Sequence, residues 1–330
     1  MTTIPGDPMF TLDELHEARR IVAEVVPPTP QFAWPLLGEA IGADVWVKHE
    51  DCTPTGAFKV RGGVVYMDRL RRDRPHVAGV VSATRGNHGQ SIAFAGRAAG
   101  VAVTIVAPIG NSPDKNAAMR AFGAELIEHG HDFQAAREHA QSLADAHGLE
   151  MVHSFHPDLV VGVATYAWEL FDAVSDLDAV YVPIGMGSGI CGLMGVRDLL
   201  GLDTEIVGVV ADGAPATALS VAAGHVVSTE RADTFVDGVA CRVPDSVAID
   251  AIARGAARIV QVPDDVTADA MRLLHRTTHH MVEPAGAIAT AALMMERDRQ
   301  AGRRVAVIQT GGNLDAQLLA EVLAGRTPPP

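Results

Sequence analysis

The 330-residue chain has a formal net charge of −14, with 26 Lys and Arg residues against 40 Asp and Glu residues. So acidic a chain argues against general nucleic-acid binding, which needs a cationic face. It has no apolar run long enough to span a bilayer and no basic-then-apolar signal segment, and its three widely spaced cysteines indicate neither a disulfide framework nor a metal cluster. These features predict a cytoplasmic protein without a nucleic-acid or membrane partner.

The predicted elements start with an amphipathic helix at residues 11–25, opened by a capping box of Thr11 and Glu14. A strand at residues 44–48 follows, and a helix is expected to start near Lys59. From residue 77 the pattern alternates, with strands at 77–82, 101–107 and 125–128 and helices at 90–99, 112–122 and 133–147. A second series has strands at 179–183, 205–210, 257–262 and 305–309 with helices between them, whereas residues 225–247 are loop-rich. This alternation predicts an α/β fold with doubly wound parallel sheets.

Lys59 is the most informative single residue of the chain. It follows a Pro/Gly turn and stands at the start of a predicted helix, where the helix dipole disfavours a positive charge. Phe58 and the glycines at 62 and 63 surround it, so we expect its amine to be desolvated. A desolvated lysine is easily neutralised, and a neutral amine can form a Schiff base. Lys48, by contrast, is predicted to be an ordinary solvated surface charge.

Three polar or glycine-rich loops follow predicted strands. The loop at residues 82–90 brings hydroxyl, amide and imidazole groups to the start of a helix. So many polar groups favour an anion-binding site over an ordinary turn between a strand and a helix. The loop at residues 182–192 alternates glycine with other residues, so its backbone can wrap a phosphate. A glycine-rich loop of this kind would also fit a dinucleotide. However, no acidic residue ends a second strand about 20 residues after the loop, where it would hold the ribose. In the loop at residues 308–313, the Thr310 hydroxyl either faces a heteroaromatic nitrogen or caps the last helix.

These segments resemble the fold-type II enzymes that use pyridoxal 5′-phosphate (PLP), specifically the threonine/serine dehydratase and serine racemase family. Five blocks carry the resemblance in the family's order and spacing: residues 58–62, 86–90, 185–189, 283–287 and 310–313. The resemblance implies a tryptophan synthase β-like fold with two domains and an active site in the cleft between them. The large PLP-binding domain would comprise residues 1–75 and 151–330, and the small domain residues 76–150.

The same resemblance assigns the site residues. Lys59 would carry PLP as a Schiff base, Phe58 would lie near its ring, and Asn87 would contact its phenolic oxygen. Thr310 would face the pyridine nitrogen, where a neutral hydroxyl favours elimination. The other implied cofactor contacts are Glu283, which otherwise is a helix N-terminal acid, and the phosphate-binding backbone of Gly185, Met186, Gly187, Ser188 and Gly189. The substrate carboxylate would sit on the loop that contains Thr84, Arg85, Gly86 and His88.

Three features depart from the family's pattern. The family's phosphate loop is usually almost all glycine, whereas Met186 and Ser188 intervene here, and the Ser188 hydroxyl would add a hydrogen bond to the phosphate.

The other two departures are single positions. Arg85 stands where serine racemases have a serine that acts as acid and base, and a permanently charged guanidinium is a poor proton shuttle. Racemisation is therefore disfavoured, and Arg85 either recognises an anionic β-substituent or points to solvent. Val210 stands where metal-activated relatives have a glutamate, so we predict no metal. The histidines show no ligand spacing, and the adjacent His279 and His280 would point about 100° apart in a helix.

The sequence thus predicts a PLP-dependent ammonia-lyase, or dehydratase, that converts a β-hydroxy amino acid to a 2-keto acid and ammonia. Threonine or serine is the first substrate expected, with 3-hydroxyaspartate or an aryl-serine such as phenylserine as alternatives. In this hypothesis the freed amine of Lys59 takes the α-proton and hydroxide leaves from the β-carbon. An amino-acid racemase, a β-replacement synthase and a non-catalytic ligand-binding protein are weaker alternatives. We expect a homodimer.

Overall fold

Strands and helices alternate from residue 12 to residue 323 in the computed structural model, which describes residues 8–330. The strands are β1 (Gln31–Ala33), β2 (Asp44–His49), β3 (Gly79–Ala83), β4 (Ala102–Ala107), β5 (Glu125–Glu128), β6 (Glu150–Met151), β7 (Ala179–Pro183), β8 (Glu205–Ala211), β9 (Arg258–Val262) and β10 (Arg304–Gln309). The helices are α1 (Leu12–Ala23), α2 (Pro35–Ile41), α3 (Lys59–Asp73), α4 (Asn87–Ala99), α5 (Pro113–Ala121), α6 (Phe133–His147), α7 (Pro157–Ala173), α8 (Ser188–Leu199), α9 (Ala216–Ala223), α10 (Ser246–Gly255), α11 (Asp264–Thr278), α12 (Pro284–Met295), α13 (Arg297–Gln300) and α14 (Ala316–Leu323), with a 3₁₀ helix at Asp237–Val239. Within residues 8–330, every helix is too short or too polar to cross a membrane.

The strands form two sheets. The four-stranded sheet has the order β5-β4-β3-β6, and all its pairs are parallel. The six-stranded sheet has the order β1-β2-β10-β7-β8-β9 and is parallel except for its edge pair, β1 with β2. Parallel neighbours need crossover connections, and helices supply them here. The predicted α/β fold with two largely parallel sheets is confirmed.

The strands of the two sheets come from different parts of the chain. The four-stranded sheet takes its strands from residues 79–151, and the six-stranded sheet takes its strands from residues 31–49 and 179–309. Strand β6 therefore extends one residue beyond the end expected for the small domain, at residue 150. Residues 1–7 of the expected large domain lie outside the described part of the chain.

Most predicted elements agree with the observed ones within a few residues. Helix α1 opens with the predicted capping box, because the Thr11 hydroxyl accepts the Glu14 N–H at 3.2 Å and the Glu14 carboxylate accepts the Thr11 N–H at 2.7 Å. The limits of β5, α6 and β7 are those predicted. Strands β1 and β6 were missed because they have only 3 and 2 residues, too few for a hydrophobic period to be visible.

Apolar layers cover both faces of the six-stranded sheet. Along β7, Val180 and Val182 face the core that α1, α7 and α8 complete. The alternate residues, Ala179 and Tyr181, face the core on the side of α11 and α12. A strand that is buried on both faces reads as a continuous apolar run, which is how the sequence at residues 179–183 reads. The carboxyl ends of these strands remain free for polar groups.

The prediction that Lys48 is a solvated surface charge is wrong. Its side chain is fully buried, and its ammonium donates to the Glu169 carboxylate at 2.6 Å. The Arg61 guanidinium donates to Glu169 at 2.6 Å and to the buried Glu50 at 2.7 Å. The charges of the two cationic and two anionic side chains sum to zero, and the hydrogen bonds between them offset the cost of burying these charges. Because Arg61 lies two residues after Lys59, this cluster fixes the first turn of α3 against β2 and α7.

Candidate active site

The predicted site loops meet at one edge of the six-stranded sheet. Strands β2, β10 and β7 are neighbours, and the loops at residues 50–58, 310–315 and 184–187 follow them. Parallel strands bring their carboxyl ends to the same edge, where ligands bind in open α/β sheets. Backbone bonds join two of the loops, since the Phe58 N–H donates to the Thr310 carbonyl at 3.0 Å. The fourth predicted loop, after β3, reaches this edge from the four-stranded sheet.

Lys59 is the first residue of α3, as the sequence predicted. Its Nζ lies 4.7 Å from the centroid of the Phe58 ring, and its backbone carbonyl accepts the Ser91 hydroxyl at 2.6 Å. Burial lowers the pKa of Lys59 to about 8, and the Glu283 carboxylate opposes this change. Compared with the ordinary value of 10.5, the neutral fraction at pH 7 rises by about 300-fold. Lys59 is therefore the amine of the site best able to act as a nucleophile or base.

Asn87 connects the two sheets across the cleft. It begins α4, and its side-chain amide donates to Glu283 Oε1 at 2.7 Å. Its side-chain oxygen accepts the Asn313 amide at 2.9 Å. Asn313 also donates to the Thr55 carbonyl at 2.8 Å, in the turn before Lys59. The predicted Asn87 loop is thus held directly against the predicted Lys59 turn and the loop after β10.

The other side chains of this loop have contrasting environments. His88 is buried and its Nε2 has no hydrogen-bond partner. Burial and the positive charge of Lys59 lower the pKa of His88 to about 3, so the ring is neutral at physiological pH. Thr84 accepts the Gly86 N–H at 3.1 Å, which shapes the loop. Arg85 is exposed, and within residues 8–330 its guanidinium has no ion-pair or side-chain hydrogen-bond partner.

The loop after β7 forms an anion cradle at the start of α8. Gly187 has a φ of 105°, a left-handed value that favours glycine. A Cβ on Gly185 would lie 2.6 Å from the Gly238 carbonyl oxygen, so a side chain there would push the loop out of place. The Cys191 N–H is the first to bond back into the helix, to Gly187 at 3.0 Å. The amides of residues 188–190 therefore remain available at the positive end of α8 for a phosphate.

Glu283 and Thr310 complete the set that the sequence predicted. Glu283 precedes α12, but its side chain does not cap the helix and instead accepts the Asn87 amide. Burial raises the pKa of Glu283 to about 7. The Thr310 hydroxyl donates to the Ala285 carbonyl at 3.3 Å, and Asp315, not Thr310, stands at the cap position of α14. Thr310 therefore does not cap the last helix. Glu283 does stand at the N-terminus of α12, as its alternative expected, and its carboxylate also contacts Asn87.

A hydrogen-bonded cluster of His49, Asp51 and His280 lies beside this edge. Their ligand atoms are within 4.8 Å of one another, and His280 Nδ1 is 2.8 Å from Asp51. However, the Trp34 indole N–H donates to His49 Nε2 at 3.0 Å, which leaves the proton of a neutral His49 on Nδ1, where a metal would have to bind. His279 has a left-handed φ of 59° and directly follows α11, so the angle that a helix would set between His279 and His280 does not apply. The absence of a metal stays a prediction.

Comparison with known proteins identifies the class of protein that this site belongs to. The profile of the family described as "Pyridoxal-phosphate dependent enzyme" matches residues 22–311. The chain belongs to this family, so its cofactor is PLP. The predicted fold-type II architecture and the predicted cofactor are confirmed.

Individual relatives narrow the class. The L-threonine ammonia-lyase of Thermotoga maritima is 30% identical over 96% of this chain and 78% of its own length. The L-threo-3-hydroxyaspartate ammonia-lyase of a Pseudomonas species is 31% identical over 90% of this chain and 93% of its own length. The structure of processed threonine deaminase isoform 2 from Solanum lycopersicum matches with a TM-score of 0.88 and 28% identity over 98% of both chains. These likenesses confirm the resemblance to the dehydratase side of the family.

The residues of the site fit PLP. The free amides at the start of α8 and the glycines at 185 and 187 make room for a phosphate, and the Lys59 amine with its lowered pKa suits the aldehyde. Phe58 would hold the ring from one side, Asn87 its phenolic oxygen and Thr310 its nitrogen. When bound, PLP withdraws electrons from the α-carbon of an amino acid. Lys59 Nζ would supply the base that removes the α-proton, because its tether keeps it in reach.

Several residues of the cleft were missed by the sequence reasoning. Asn313 was quoted only as part of a motif, yet it orients Asn87. The Tyr166 hydroxyl donates to the Gly189 carbonyl at 3.0 Å and supports the cradle from behind. Lys115 and Asp237 form an ion pair across the cleft. Besides the motif of Asn313, a sequence signal exists for Lys115, since it is a lysine in the first turn of a helix that starts with proline.

Proposed function

We propose that the protein is a PLP-dependent ammonia-lyase that converts a β-hydroxy amino acid of the threonine or serine type to a 2-keto acid and ammonia by α,β-elimination. The observation that carries this proposal is Lys59, a buried amine with a pKa of about 8 that lies beside the Phe58 ring and is bonded through its backbone carbonyl to Ser91 of α4. The names of the relatives support it, because they are ammonia-lyases for threonine and for 3-hydroxyaspartate.

The polar groups of the cleft support elimination. Thr310 offers the pyridine nitrogen a neutral hydroxyl instead of a carboxylate, which moderates electron withdrawal and favours loss of a β-substituent over transamination. Lys59 Nζ would take the α-proton on one face of the substrate. The N–H groups and hydroxyl of the loop at residues 84–88 would hold the substrate carboxylate. The 2-keto acid would form when water hydrolyses the released unsaturated amine.

Racemisation is the less favoured alternative. It needs a second acid and base on the face opposite Lys59, and the position of that group is taken by Arg85. A guanidinium stays protonated at neutral pH, so it is a poor acid and base. A β-replacement synthase would need a second nucleophile. The products formed distinguish both alternatives from an ammonia-lyase.

The proposal is tested by measuring 2-keto acid and ammonia release from L-threonine, L-serine, L-threo-3-hydroxyaspartate and phenylserine. The purified protein should show an absorbance band at about 410–420 nm that borohydride removes. Lys59→Ala should lose both the band and the keto acid. Interconversion of enantiomers without ammonia would refute the lyase and favour a racemase. A colourless protein that takes up no PLP would refute the enzyme altogether.

3-Hydroxyaspartate is the second candidate substrate, and Arg85 is the observation that favours it. The guanidinium is exposed and has no acidic partner within the described residues, so it is free to bind the second carboxylate of this amino acid. Arg85→Ala should raise the KM for 3-hydroxyaspartate by about tenfold or more and leave that for threonine within a few-fold. Arg120→Ala is the matched control. Arg120 is also an exposed arginine in the part of the chain that forms the four-stranded sheet, and it pairs with Glu128. Equal losses on both substrates would refute this role.

We also propose that the protein is a cytoplasmic homodimer without a nucleic-acid partner. The strongly acidic composition supports the lack of a nucleic-acid partner. Light scattering coupled to size exclusion should give about twice the chain mass of 34.7 kDa. A mass equal to that of one chain would contradict the dimer.

A further inference from the structure

Lys115 occupies an unfavourable position for a lysine. It is the third residue of α5, after Ser112 at the cap and Pro113, and its backbone N–H donates to the Ser112 hydroxyl at 3.1 Å. The positive end of a helix repels an ammonium, and Lys115 is only 8% exposed. Burial of a lysine costs free energy unless the charge is paired. Its position is therefore not explained by the stability of α5.

The contacts of Lys115 cross the cleft. Its Nζ forms a short ion pair with Asp237, which lies in the part of the chain that contains the six-stranded sheet. Burial lowers the pKa of Lys115, but the charges of Asp237 and Glu283 outweigh this and raise it, so the ammonium stays charged. Its stem lies beneath the substrate loop, since a Cβ on Gly86 would be 2.7 Å from Lys115 Cδ. Lys115 thus touches the predicted substrate loop on one side and Asp237 on the other.

Asp237 in turn lies beside the phosphate cradle. It opens the 3₁₀ helix, and the carbonyl of the next residue, Gly238, packs against Gly185. A second bond crosses the cleft at the same end of α5, from the Ser112 hydroxyl to Asp315 at 2.5 Å. The ion pair therefore ties the loop at residues 84–88 to the loop that would hold the cofactor phosphate.

We propose that Lys115 is a positioning residue that, through Asp237, holds the substrate loop over the cofactor. The role rests on the proposed function, because the loop is assigned there to the substrate carboxylate. When the pair is intact, the loop donors stay at a fixed distance from the cradle, and the amino acid meets a formed site. Without it, the loop and α5 separate from Asp237, and substrate binding must supply the free energy that closes them.

The experiment uses the holoenzyme and three variants: Lys115→Met, Asp237→Asn and the double variant. Each single change should raise the KM of the best substrate by about tenfold or more and change kcat by less than about threefold. The double variant should be no worse than either single variant, because both remove the same pair. Amide hydrogen exchange of residues 84–90 should become faster in all three. Arg120→Met, on the same helix, should leave KM and exchange unchanged.

Two outcomes would overturn the proposal. One is an unchanged KM and unchanged exchange in Lys115→Met, and the other is a fall in kcat alone, which would make the ammonium part of the chemistry. If Lys115→Met does not fold, Asp237→Asn decides by the same criteria. The exchange measurement is independent of turnover. A wild-type protein that releases no keto acid would thus refute the proposed function, while the exchange of residues 84–90 would still decide whether the pair holds the loop.

Discussion

Replacing Glu283 by Gln should stabilise the cofactor-free protein at alkaline pH. Glu283 is 2% exposed, and its Oε1 accepts the Asn87 amide at 2.7 Å. Its Oε2 is buried without a hydrogen-bond partner. The negative charge of an ionised carboxylate in this position has too few hydrogen bonds to offset its burial. The amide of Gln carries no charge and still has an oxygen that accepts the Asn87 N–H. The benefit of the substitution should therefore depend on the protonation of Glu283.

The sign and size follow from the pKa. Burial raises the pKa of Glu283 from 4.5 to about 7, with Asp237 adding to the change and Lys115 opposing it. A carboxyl group with a raised folded pKa contributes stability below its unfolded pKa of 4.5, and this contribution is lost as the pH rises through about 7. At about 1.4 kcal/mol for each pKa unit, the loss is roughly 3 kcal/mol. Glu283→Gln should gain up to this amount over wild type between pH 5 and pH 8.

The assay is urea unfolding of the cofactor-free protein, followed by far-UV circular dichroism from pH 5 to pH 8.5. The difference in free energy of unfolding between Glu283→Gln and wild type should grow with pH across this range. Glu230→Gln is the matched control, because Glu230 is exposed and the same change there should give a flat difference. In the cofactor-free protein, the substitution should also lower the pKa of Lys59, since the Glu283 charge raises it.

A flat difference between Glu283→Gln and wild type would refute this reasoning. It would mean that Glu283 is ionised at little cost in the folded protein, with Lys115 compensating its charge in full. A variant that is less stable at every pH would also contradict it, because the loss would then arise from packing or from the bond to Asn87.

Three further predictions concern other parts of the molecule. Arg61→Met should lower the free energy of unfolding in urea by about 3–5 kcal/mol, because it leaves the buried Glu50 carboxylate without its cationic partner, whereas Arg72→Met at an exposed pair should cost about 1 kcal/mol or less. Gly89→Ala should lower kcat/KM by about tenfold or more with PLP still bound, because a Cβ there would lie 2.4 Å from Met119 Sδ and displace the loop; unchanged kinetics would contradict this. Dialysis against EDTA should leave keto-acid release unchanged, since Val210 offers no ligand, and reactivation by Mg²⁺ would contradict the predicted lack of a metal.

The sequence predicted the parts of the site that are local in the chain. Lys59 and the phosphate loop each lie in a segment of about a dozen residues that runs from a strand through a turn to the start of a helix. The residues that carry their chemistry are therefore close together in the sequence. The alternation of strands and helices predicted the parallel sheets for the same reason. Gly187 is required by a left-handed φ, which is a local constraint, whereas the carbonyl that excludes a side chain at Gly185 belongs to Gly238 in a distant loop.

The parts that failed or were missed depend on contacts between distant residues. Lys48 was expected in solvent because nothing near it in sequence indicates burial, and its acidic partner Glu169 is 121 residues away. The bond from Asn87 to Glu283 spans 196 residues, and the burial that raises the pKa of this acid is likewise a tertiary property. Burial and pairing of a charge are tertiary properties, and no local pattern in one sequence records them.

Lys59 and Lys115 carry the same local signal and acquire opposite properties. Both lie in the first turn of a helix, where the dipole disfavours the ammonium, and both reach the same cleft. Burial dominates at Lys59 and lowers its pKa to about 8, whereas the Asp237 carboxylate beside Lys115 keeps that amine charged. An unpaired buried amine is suited to covalent and proton chemistry, and a paired one to holding two loops together. The helix position brings a lysine to the cleft, and the presence of a carboxylate partner decides which of these roles it takes.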